Sequence, residues 1–287
     1  EMEKVKAEVG FTGPLKAFFE HLRTDPKFQP KSREELTQGY YAIGSKLDAT
    51  LPSLFSTIPK TPLEIKPTPA LTEKGAARGE YQQGAPDGSR PGVFYFNAYD
   101  LPSRPMFTME TLYLHEGAPG HHFQIMLAQE NAALPDFQRF GGNTAYVEGW
   151  GLYAETLGRE LGVYTDPYQY FGFLDSQLFR AIRLVVDTGI HAKGWSRERT
   201  IQYILDNSSR GRTNAVAETE RYIAIPGQAL AYKIGQMKIS ELRARAEAKL
   251  GPRFDIRKFH EQVLNTGAIP LAVLEKKIDD WIAAGGQ

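Results

Sequence analysis

Apolar positions recur at three- and four-residue steps through most of this chain, the spacing of helices that each bury one face. Phe18, Phe19 and Leu22 share one side of a short helix opened by Pro14, and Ser32-Arg-Glu-Glu35 is a capping box for a helix reaching about residue 54. Asn143 or Thr144 caps a helix rich in aromatic residues, residues 168 to about 192 form one long helix, and Ser196 caps another ending near Asn207. Thr213 or Asn214 opens the next, which stops at Pro226-Gly227. A further helix runs to Lys249 before Gly251-Pro252, and two more lie near 256–264 and 270–283. Residues 1–9 read as the tail of a helix without a start signal, so a longer protein is expected.

The helical spacing fails between 58 and 99. Pro59, Pro62, Pro67 and Pro69 forbid helix and leave an extended connector. Residues 79–92 are turn-rich, with Pro86-Asp-Gly88 the clearest turn, and 92–99 read as a short aromatic strand. The pattern predicts a mainly α fold with a small β-sheet beside the helix that follows. It divides into an N-terminal helical segment with its connector (1–78) and a second domain (79–287) that carries the aromatic strand and the helices after it. If the 92–99 strand has a free edge, Tyr95 and Asn97 are placed to hold an extended peptide; the alternative is an internal strand.

Composition narrows the chemistry. Lys plus Arg and Asp plus Glu both number 34 in 287 residues, so no net charge argues for nucleic acid. The absence of cysteine excludes thiol catalysis, disulfides and thiolate ligands, so any metal is left to histidine and carboxylate. No apolar run is long enough to span a bilayer.

Half of the six histidines fall within His115-Glu-Gly-Ala-Pro-Gly-His-His122, inside an otherwise apolar helix. Two imidazoles one helical turn apart hold a zinc ion in His-Glu-x-x-His, with the Glu as base. Here the second histidine is displaced. On a regular helix His115 and His121 point about 120° apart. Pro119 and Gly120 break that regularity, and a bulge there restores the usual pairing. His122 returns to the face of His115 but about 10.5 Å further along. His121 is the preferred ligand, with His122 its substitute or a donor to substrate. The plain alternative is a kinked helix with incidental histidines.

A third ligand is needed. Glu148 and Glu155 lie seven apart on one face of the next helix, among Tyr146, Trp150 and Tyr153. Glu148 is the candidate ligand and Glu155 an acceptor for a ligating imidazole. Arg180, Arg183, Asp187 and His191 form a polar stripe on an apolar helix, which either lines the cleft, with His191 touching substrate and Asp187 behind the ligands, or ties helices together. Glu220-Arg-Tyr222 and the 226–235 stretch add Arg221, Tyr222, Gln228 and Tyr232 as candidate donors to an oxyanion.

Four blocks in order, His115-Glu-x-x-Pro-Gly-His-His122, Glu148-Gly-Trp-x-x-Tyr-Ala-Glu155, Asp187-Thr-Gly-Ile-His-Ala-Lys-Gly-Trp195 and Pro226-Gly-Gln-Ala-x-x-Tyr232, resemble the bacterial domain-of-unknown-function family numbered 885, whose members are often described as lipoproteins. The resemblance covers most of the chain from about Gly79 and implies the C-terminal half of a longer protein at the bacterial cell envelope or periplasm. That family is similar in turn to helical zinc peptidases such as thimet oligopeptidase and carboxypeptidase Taq. The resemblance implies a zincin-like domain with His115, His121 and Glu148 as zinc ligands, Glu116 as base, and Tyr222 or Tyr232 as oxyanion donor. The two-residue insertion departs from those peptidases; dipeptidyl peptidase III resembles this chain in carrying one extra residue there.

The expected function is zinc-dependent hydrolysis of a peptide or small protein substrate. The alternatives are a catalytically silent peptide- or envelope-binding module that retains a structural metal, and a metal hydrolase of non-peptide amides or esters.

Overall fold

The computed structural model describes residues 1–287 and is mainly helical, 62% helix with one small sheet. Helices α1 (Met2–Glu8), α2 (Leu15–Thr24) and α3 (Arg33–Asp48) precede the strands β1 (Leu63–Pro67), β2 (Gly79–Gln82) and β3 (Gly92–Phe96). Ser32 caps α3 by accepting from the Glu35 N–H, but the helix ends at Asp48, short of the expected 54, and Leu51–Ser53 is a separate turn around Pro52. After the sheet come α4 (Met109–Glu116), α5 (His121–Glu130), the short α6 (Asp136–Arg139) and α7 (Thr144–Thr156). The chain closes with α8 (Pro167–Lys193), α9 (Arg197–Asn207), α10 (Arg212–Ala224), α11 (Gln228–Leu250), α12 (Ile256–Leu264) and α13 (Leu271–Ala283).

The strands lie in the order β1-β3-β2, with β1 parallel and β2 antiparallel to β3. Two regions expected as connector and turn thus supply strands. The placement of β3 corrects its expected role: it is the middle strand, both edges are paired, and no free edge remains at Tyr95 or Asn97. Asn97 is buried, with its Nδ2 donating to the carbonyls of Glu73 and Ala76. The exposed edge beside α4 belongs to β2 instead.

The main core runs from Leu36, Tyr40 and Leu47 of α3 through Phe94 and Phe96 of β3 to Trp150, Leu242 and Trp281. The boundary expected between residues 78 and 79 therefore cuts through one sheet and one core, and residues 1–78 are not set apart from the rest. No helix is long and apolar enough to cross a membrane.

Helices α7 and α11 touch backbone to backbone. A Cβ on Gly235 would meet the Ala145 carbonyl oxygen at 1.8 Å, and one on Gly149 would meet the Gly235 Cα at 2.5 Å. Glycine inside a helix costs about 1 kcal/mol relative to alanine. Here that cost lets α11 come close enough to carry Gln228 and Tyr232 up to Glu148.

Candidate metal centre

The helix carrying His115 does break before His121. Helix α4 stops at Glu116, the Ala118–Pro119 bond is cis, and α5 begins afresh at His121. Gly120 folds back over the end of α4, where a Cβ would lie 2.0 Å from the His115 carbonyl oxygen. Trp150 Nε1 donates to the Pro119 carbonyl at 2.9 Å and pins the loop to α7. The expected bulge is thus a full interruption between two helices, and it turns His121 toward His115, their rings 4.8 Å apart and nearly perpendicular.

His115, His121 and Glu148 each offer a ligand atom within 4.8 Å of the others. The Nε2 atoms of His115 and His121 lie 3.7 and 3.5 Å from the same Glu148 oxygen, Oε2. These separations exceed a good hydrogen bond, and a tetrahedral ion about 2 Å from each donor spaces its donors roughly 3.3 Å apart. The donor set fits zinc on geometry and on ligand chemistry. Gly151, one turn beyond Glu148, makes room for both imidazoles, since a Cβ there would stand 2.9 Å from His115 Cε1 and 3.0 Å from His121 Cε1.

Behind this trio, His115 donates from Nδ1 to Glu155 Oε1 at 2.9 Å, which directs Nε2 toward Glu148. Glu155 is 1% exposed and also accepts from Thr111 Oγ1 and Ser176 Oγ, with Arg180 Nη2 at 3.8 Å. Burial alone would push the His115 imidazole down, but Glu148 and Glu155 beside its two nitrogens outweigh this and raise it to about 9. Burial likewise favours a protonated Glu148, yet His115 and His121 hold its carboxyl well below the usual carboxylate range. Glu116 is 9% exposed, accepts no hydrogen bond from the protein, and lies under Gly79 at the start of β2.

Tyr232 stacks beside His115, ring centroids 6.2 Å apart, and Gln228 Nε2 bridges its hydroxyl and Glu148 Oε1 at 3.3 and 3.4 Å. Arg221 donates to Gln228 Oε1 at 2.6 Å, so it reaches the site only through that amide.

Other expected site residues fall elsewhere. Tyr222 is buried, donates to Glu218 at 2.6 Å and accepts from Arg183, which leaves it no proton for an oxyanion. His122 is paired with the Tyr81 hydroxyl at 3.0 Å, and burial lowers it to about 4, so it stands as a neutral packing residue under the sheet. His191 pairs with the Tyr222 carbonyl, and Asp187 accepts from the Gly227 N–H at the turn into α11. Asp187 therefore supports the α10–α11 turn and touches no ligand. Gly151, Thr111 and Ser176 were missed from the sequence, although a glycine inside the Glu148 helix was a readable signal of close approach.

A mainly helical fold with a histidine–carboxylate cluster at a helix break defines a candidate metal-site protein. The chain belongs to the family described as bacterial protein of unknown function (DUF885), whose model matches residues 1–278. The crystal structure of a "putative lipoprotein" from Colwellia psychrerythraea is 40% identical, superposes with a TM-score of 0.95, and aligns over 99% of this chain and 49% of its own. A "putative lipoprotein of unknown function" from Shewanella oneidensis shares the fold at 22% identity, with a TM-score of 0.80 over 96% of this chain and 52% of its own. The chain thus spans about half the length of these solved relatives. No curated protein matches it.

Proposed function

We propose that the protein is a zinc-dependent peptidase with Glu116 as general base. The observation that carries this reading is the convergence of His115, His121 and Glu148, from three different helices, beside a Glu116 carboxylate that no protein group engages. An ion held by these three would polarise the scissile carbonyl and lower the pKa of the attacking water. Glu116 accepts the water's proton and delivers it to the leaving amine. Burial and the Glu148 charge push the Tyr232 hydroxyl up, so it remains a donor at neutral pH, suited to the oxyanion. Glu155 fixes the orientation of His115, and Gln228 ties Tyr232 to Glu148. The name of the Colwellia relative favours the cell envelope as the compartment.

Elemental analysis of the purified protein, paired with hydrolysis of a peptide library, tests the reading. One zinc per chain is expected, and Glu116→Gln keeps the metal while losing about 10²- to 10⁴-fold in rate. A protein that binds no metal ends the proposal.

A further inference from the structure

Next to Glu116 the structure places two arginines, Arg78 and Arg104, that form no ion pair. Arg78 immediately precedes Gly79, and a Cβ on Gly79 would lie 3.2 Å from Glu116 Cγ. The Arg78 guanidinium donates once, from Nη2 to Thr108 Oγ1 at 2.7 Å, and forms no ion pair. Arg104 donates from Nε to the Tyr99 carbonyl, and its two terminal nitrogens have no protein partner. Both arginines line one recess with Tyr40, Asn97, Thr108 and Leu112, and Leu112 sits one turn before Glu116 on α4.

A third arginine, Arg210, is held by α8. Gly172 lets α8 press on the chain at Phe107 and Thr108, where a Cβ would meet the Phe107 carbonyl at 2.0 Å. Asp175, one turn further along, holds Arg210 with 3.3 Å between Nη2 and Oδ2. Arg210 Nε is buried without a partner. Burial, then the charges of Arg210 and Arg104, push the Arg78 guanidinium down to about 9. Asp100 lies in the field of Arg104 without pairing to it.

Like charges brought together and partly buried are costly unless something neutralises them. Guanidinium groups with free N–H donors match a carboxylate, which accepts two parallel hydrogen bonds. We infer that Arg78 and Arg104 form a carboxylate-binding subsite beside Glu116, which selects peptides with a free carboxylate on the residue after the scissile bond. This rests on the peptidase reading for its substrate, and it narrows that reading to removal of C-terminal residues. Arg78 adjoins the glycine that packs on Glu116, and Leu112 of the same recess lies one turn before Glu116, which puts the anion next to the reacting carbonyl. An acidic side chain on that residue presents the same group, and the test separates the two sources.

The test is calorimetric titration of the zinc-loaded Glu116→Gln protein with N-acetyl-Ala-Ala, its C-terminal amide, and N-acetyl-Ala-Glu-amide. The free acid is expected to bind about tenfold more tightly than the amide, the range of one charge-assisted hydrogen bond. That preference should collapse in Arg78→Gln and weaken in Arg104→Gln, with thermal melts showing both variants folded. Tight binding of the glutamyl amide in place of the free acid supports the subsite and assigns it to an acidic side chain. Equal affinity for all three probes, no binding of any probe, or a preference unchanged in Arg78→Gln overturns it. The two proposals fail separately. Discrimination by a wild-type protein that hydrolyses nothing leaves the subsite and removes the peptidase, while hydrolysis of acid and amide with equal KM does the reverse.

Discussion

His115 Nδ1 and Glu155 Oε1 are 2.9 Å apart in a setting where the histidine is 3% exposed and the carboxylate 1%. With Thr111, Ser176 and Arg180 on the same carboxylate, the imidazole has one orientation available. Glu155→Gln should therefore lower zinc affinity about 10- to 100-fold, the usual cost of losing such a partner. Competition with a chromophoric chelator measures it, and unchanged affinity would remove Glu155 from the site.

Zinc uptake should release a proton. The metal-free His115 titrates at about 9, so at pH 7 it is protonated and must lose that proton to become a ligand. Affinity should climb by up to about tenfold per pH unit until about pH 9 and then level off. Titration calorimetry in buffers of different ionisation enthalpy reads the proton directly; a buffer-independent heat would contradict the assignment.

Gly151→Ala should separate folding from metal binding. Alanine favours the helix by about 1 kcal/mol, which offsets part of the crowding. The new methyl would still press on both imidazoles from 2.9–3.0 Å. Melting of the metal-free protein should move by only a few degrees, while zinc affinity falls about tenfold or more. A variant that binds zinc normally would show that the rings have room to spare.

The two tyrosines should behave differently. Tyr232→Phe should reduce kcat by about 10²-fold with little change in KM, as for loss of an oxyanion donor. Tyr222→Phe removes a hydroxyl shared by Glu218 and Arg183, so it should cost about 1–3 kcal/mol of stability and spare kcat. Steady-state kinetics with urea melts on both variants decide the matter, and the reverse outcome would exchange their roles.

Acid should loosen the fold partly through His260. This imidazole sits between the Leu54 carbonyl and the Tyr153 hydroxyl, and burial lowers it from 6.5 to about 3. It is neutral when folded and takes up a proton when unfolded, so its contribution is complete above about pH 6.5 and lost progressively as pH falls toward 3. His260→Gln should flatten the dependence of the urea midpoint on pH across that window. Parallel curves for the two proteins would place the acid sensitivity elsewhere.

Much of this architecture was legible in the chain. Capping residues and helical spacing located α8, α9, α12 and α13 closely, because those signals are local. The sheet was only partly visible, since β1 and β2 are five and four residues long and owe their strand character to pairing with β3. The histidine pair could not be resolved from spacing because the answer lies in the non-helical backbone at 117–120. Tyr222 and Tyr232 looked alike for a similar reason: they flank the same Pro226-Gly227 turn, and only the packing of α11 on α7 turns one of them toward His115.

That packing also limits how the protein moves. Where Ala145 and Gly149 meet Gly235, backbone lies against backbone, with no long side chain between them that could change rotamer to accommodate a shift. Glu148, Gln228 and Tyr232 therefore ride on one rigid wall. Any opening that the proposed peptidase activity requires falls to the elements that face this wall.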